Sequence, residues 1–155
     1  MAKYNTEEAV KKALDIEDFK TITRKKAKEL AKIAVDVKDD VMAGIINKMP
    51  DSTVLCVKMV DAFILMGNNL LKESKELHEK VVEPHMIALK ELKKKQNVRE
   101  LTDDEVLQLI EIGKDLQKEA KDFRATLIKL FGIFSGVVVL VFGGILGINL
   151  LSKKK

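Results

Sequence analysis

The 155 residues carry 28 Lys+Arg against 24 Asp+Glu, a formal net charge of +4, and that length suits one domain with a modest core. One cysteine excludes an internal disulfide framework and a cysteine-built zinc centre. With Arg24, Arg99 and Arg124 as the only arginines, the bidentate phosphate-binding side chain is scarce, and no nucleic-acid partner is expected.

At the N-terminus, MAKYNTEEAVKKALDIEDFK has no apolar run of the signal-peptide kind. Asn5 with Glu8 three residues on predicts a capped first helix to about Ile16. A second helix follows from the seam Ala27, Leu30, Ala34, Val37, Val41 and Ile45, and must stop at Met49-Pro50.

Asp51 or Ser52 then starts a third helix, expected to run to about Gln96 on the seam Val60, Phe63, Leu70, Leu77, Val81, Ala88 and Leu92. Pro84 lies inside it, where a lost hydrogen bond predicts a kink and not a reversal. Its first part, residues 53–71, is apolar nearly all round and holds only Lys58 and Asp61 as charges. This reads as a central core helix, with Lys58 and Asp61 a polar pair near the membrane end; entry of the segment into the bilayer is the rival reading.

Thr102 with Glu105 forms a capping box, and Leu101 with Val106 a hydrophobic staple, opening the fourth helix. Its seam runs through Val106, Leu109, Gly113, Leu116, Ala120, Phe123, Leu127 and Leu130 with no breaker. Body and apolar tail are therefore expected as one helix of almost fifty residues, roughly 70 Å long at ~1.5 Å per residue. A hairpin turning near Asn97–Leu101 would set residues 54–71 beside about 128–145.

All 24 acids and all but three of the 28 bases precede residue 130. The segment from Leu130 to Ser152 has no charge, and Lys153, Lys154 and Lys155 close the chain. An uncharged run of that length is enough to cross a ~30 Å hydrocarbon core as a helix. Lys129 on one side and Lys153, Lys154 and Lys155 on the other mark the expected interfaces. Gly132, Gly136, Gly143 and Gly147 fall on one broad face as two small-xxx-small motifs, which points to self-association in lipid, with packing against the chain's own residues 53–71 as the rival reading.

The chain lacks a phosphate loop, a metalloprotease motif and a nucleophile elbow. His78 and His85 share a helix face but offer only two ligands. Cys56 sits among apolar neighbours and reads as an inert buried thiol. No catalytic residue, metal or cofactor is expected.

The fold class that follows is all-α: an elongated antiparallel bundle of three to four helices over residues 1–129, whose last long helix continues into a single span over 130–152, with a basic tail at 153–155. The expected function is that of a non-enzymatic tail-anchored protein with its N-terminal body in the cytoplasm. Its partners are the lipid bilayer, further copies of itself as a homo-oligomer, and a protein bound to the helical scaffold. The alternative is an α-helical pore-forming protein whose ring is built from the C-terminal helix and residues 53–71. The general plan is similar to both groups, with no shared motif.

Overall fold

The computed structural model describes residues 1–119 and 124–132, and it is all-helical, with no strand among the described residues. In chain order the helices are α1 Glu7–Leu14, α2 Arg24–Ile33, α3 Asp39–Lys48, α4 Ser52–Glu73, α5 Lys75–Gln96 and α6 Asp103–Glu119. Single 3₁₀ turns sit at Phe19–Thr21 and Ala34–Asp36, and residues 124–132 are again helical.

The first helix is shorter than its sequence suggested. Thr6, and not Asn5, is the cap, its hydroxyl accepting from the Ala9 N–H at 3.1 Å. Asp15 then turns left-handed at φ 54° and ends the helix before Ile16. Val10 and Leu14 are the residues it buries.

The expected second helix is two helices. The β-branched residues Ile33, Val35 and Val37 flank Asp36, a combination of low helix propensity. The N-terminal tail supplies an alternative set of hydrogen bonds there. Tyr4 donates to the Asp36 carbonyl and accepts from the Lys38 N–H, both at 2.9 Å, forming an isolated bridge with Val37. Lys114 of α6 holds the joint from the other side, donating to the Val37 carbonyl and pairing with Asp39 at 2.5 Å. The seam residues Ala27, Leu30, Ala34, Val37 and Ile45 are nevertheless buried as expected, because the break leaves both pieces facing the same core.

The expected third helix is also two, and this changes the topology. At Ser74 the backbone is extended (φ −159°, ψ 99°). Its N–H closes α4 on the Leu70 carbonyl, while its hydroxyl caps α5 by accepting from Leu77 N–H at 3.3 Å. The chain reverses there. A Cβ on Gly67 would stand 2.2 Å from Met86 Sδ, and Asp61 pairs with Lys93 at 3.2 Å, so α4 and α5 lie antiparallel and close. Pro84 stays within α5. The buried face of α5 is His78, Val82, Met86, Leu89 and Leu92, whereas Leu77 and Val81 of the expected seam are 71% and 40% exposed.

The start of α6 follows its sequence signal closely. Glu105 N–H donates to Thr102 Oγ1 at 3.3 Å, and Thr102 N–H donates to Glu105 Oε2 at 2.9 Å. The turn between Asn97 and Leu101 is also where it was expected. The ladder Lys95–Glu105 (3.1 Å), His85–Asp115 (3.3 Å) and His78–Glu119 (3.0 Å) records the antiparallel register.

One long terminal helix is not what the structure contains. Ile110 and Lys114 of α6 line the same small apolar cavity as Leu127 and Phe131. In a straight helix Ile110 and Phe131 would be about 31 Å apart, so residues 103–119 and 124–132 are two segments lying side by side. The remaining walls of that cavity include Met42, Met59 and Phe63. Phe63 and Phe131 are at most 1% exposed, and burying each such ring contributes about 2–3 kcal/mol. The apolar parts of α3, α4 and the last segment do gather, as the hairpin arithmetic anticipated, but around Phe131. The principal partner of α4 is α5.

Candidate functional site at the exit of the apolar segment

The apolar run begins inside the folded body. Leu127 is 3% and Phe131 0% exposed, so the first residues of the run belong to the core. Gly132 lies against α2: a Cβ there would meet Lys28 Cε at 2.5 Å and Cγ at 2.9 Å. Helix α2 is set in place by Thr23, whose hydroxyl accepts from the Lys26 N–H at 3.3 Å. It is fixed as well by Ala27, Leu30 and Ala31 packing inward. The chain therefore passes residue 132 alongside the basic outer surface of α2.

Lys129, expected at the membrane interface, is exposed on the last described segment. Of the glycine stripe only Gly132 can be located; Gly136, Gly143 and Gly147 lie outside the described residues, as do Lys153, Lys154 and Lys155. The partner of Asp61 is Lys93 of α5, and not Lys58, which is exposed. Loss of the Lys58–Asp61 pair follows from the hairpin at Ser74, which brings a second cation to the carboxylate.

The titratable groups are distributed as structural pairs. His78 Nδ1 faces Glu119 and His85 Nε2 faces Asp115, one acid to each histidine. The two histidines stand about 10 Å apart along α5. Among the described residues no three His, Cys, Asp or Glu side chains converge on one point. Cys56 is 5% exposed, and burial pushes its thiol pKa up to about 12, leaving little nucleophilic thiolate.

A cleft of about 300 Å³ opens at the α5–α6 turn, with Asn47, Ser52, Cys56, Gln96, Arg99 and Val106 among its walls. Its guanidinium is committed: Arg99 forks onto both Glu105 oxygens at 2.8 and 2.9 Å. Gln96 Nε2 is buried there without a hydrogen-bond partner. Exposed Glu100 also lines the cleft, and its carboxylate is in no ion pair among the described residues. Sequence reasoning missed the cleft, since its walls come from two stretches of chain, 47–57 and 96–106, about forty residues apart. It also missed the seating of Gly132 on Lys28, although the density of bases in α2 was legible. No protein-family model, curated protein or solved structure matches the chain.

Proposed function

We propose that this is a non-enzymatic protein held at a lipid bilayer by its apolar C-terminal segment. The segment self-associates through its glycines, and the helical bundle on the cytoplasmic side serves as a scaffold for a protein partner. The carrying observation is the uncharged run from Leu130 to Ser152 followed by Lys153, Lys154 and Lys155. The burial of Phe131 moves the start of the proposed span to residue 133. Residues 133–152, as a helix, rise about 30 Å, which still matches the hydrocarbon core. With Gly132 seated on Lys28, the association face rests on Gly136, Gly143 and Gly147.

Helix α4 is also long and apolar enough to cross a membrane, with mean hydropathy 1.6. Its residues Leu55, Met59, Val60, Phe63 and Leu70 are buried within the bundle, while Val54 and Leu65 are exposed, so one face of the helix serves the core. Membrane extraction tests the reading. The full chain should resist alkaline extraction, and a chain cut after Gly132 should be soluble; a cut chain that stays in the membrane would refute it. Replacing Gly136 and Gly143 by Leu should abolish crosslinked oligomers. Dye leakage from vesicles carrying the full chain would favour a pore instead.

A further inference from the structure

Helix α2 reads RKKAKELAKI, and its charges are arranged. At 100° per residue, with Arg24 at zero, Lys28 falls at about 40°, Lys32 at about 80° and Lys25 at about 100°. The buried residues Leu30, Ala27 and Ala31 occupy about 240° to 340°, an arc that does not overlap the cationic one. All four cations are exposed. Among the described residues none of the four is in an ion pair; the one acid of the helix, Glu29, is paired with Lys26 at 3.4 Å on the flank. Four cations within a 100° arc repel one another, and no ion pair among the described residues offsets that cost.

The position of the arc says what would neutralise it. The stem of Lys28 lies on Gly132, so the uncharged run leaves the body beside the cationic face. If that run enters a bilayer, the cationic face stands beside the point of entry. The geometry points to a docking face for anionic lipid headgroups formed by Arg24, Lys25, Lys28 and Lys32. This rests on the membrane reading above and adds an orientation to it: α2 lies flat on the headgroups. Basic residues next to a membrane anchor gain about five-fold in partitioning each on an anionic leaflet. The scarcity of arginine does not weaken the case, because lysine serves a diffuse field as well as a fork does.

The full chain, reconstituted in phosphatidylcholine vesicles with or without phosphatidylserine, tests the proposal by amine footprinting. Labelling of Lys25, Lys28 and Lys32 should fall several-fold on anionic vesicles and recover in high salt, where the Debye length shrinks to about 3 Å at 1 M. Lys90, exposed on α5, should label equally on both. Equal labelling of the α2 lysines on both vesicles, with flotation on both, overturns the docking face and leaves the span. Flotation on neither vesicle removes the span reading and the docking with it. Flotation on anionic vesicles alone, lost in the variant Lys25→Gln, Lys28→Gln, Lys32→Gln, supports the docking face and removes the span. A single-stranded oligonucleotide that shields the same lysines as strongly as the anionic vesicles do would overturn the lipid assignment.

Discussion

Glu105 illustrates how much one side chain organises here. Its carboxylate takes both guanidinium nitrogens of Arg99, the Thr102 N–H and Lys95 Nζ. The Arg99 fork, first, and the Thr102 amide, second, hold its pKa well below the usual carboxylate range. A carboxylate depressed in the folded state stabilises the fold at every pH above its unfolded value of ~4.3. That stability is lost as pH falls below ~4.3 and through the folded value, because there the unfolded chain binds the proton first. Glu105→Gln should therefore lower the Tm at neutral pH and flatten the decline of Tm between about pH 4 and pH 2. A mutant whose acid limb is as steep as the parent's would exclude this role. The capping box was legible from Thr102 and Glu105 alone, since it is a local pattern. The Arg99 fork was not, because it depends on the path of the turn.

Helix boundaries show where local reading ends. The cap of α6 and the stop at Met49 came from strong short-range chemistry. The reversal at Ser74 has no glycine or proline, and Leu70, Leu77 and Val81 keep helical spacing straight across it. Only the packing reveals that Val82 and Met86 are the inward residues. The α4–α5 contact depends on Gly67, where any side chain must displace Met86. Gly67→Leu should destabilise the bundle by about 1–3 kcal/mol through overpacking, read from chemical denaturation midpoints. An unchanged midpoint would mean that the two helices are further apart than Gly67 and Met86 indicate. Gly67→Ala should cost much less, since the thioether end of Met86 is flexible.

For the whole molecule, the apolar run is evident in the sequence, but its residues Phe131 and Gly132 belong to the folded body. Nothing in the spacing of Leu127 and Leu130 distinguishes a helix running on from one folded back against α6. The difference lies in Phe131, which fills a space made by α3, α4 and α6. Phe131→Ala in the full chain should lower the body's unfolding free energy by about 3–5 kcal/mol. A residue lying only in lipid would leave that energy unchanged, so denaturation of the body in detergent separates the two cases.

The seating of Phe131 and Gly132 also governs how force enters the protein. Traction applied at Gly132 meets the packed body directly, since the turn that ends there is wedged between α2 and the core. Load would reach Phe131 and the Lys28 stem at once, and the first event would be withdrawal of a plug from the bundle. A shift of residues 124–132 by one helical turn would thus be felt at Met42, Met59 and Phe63. The junction couples the position of Gly132 to the packing of the core.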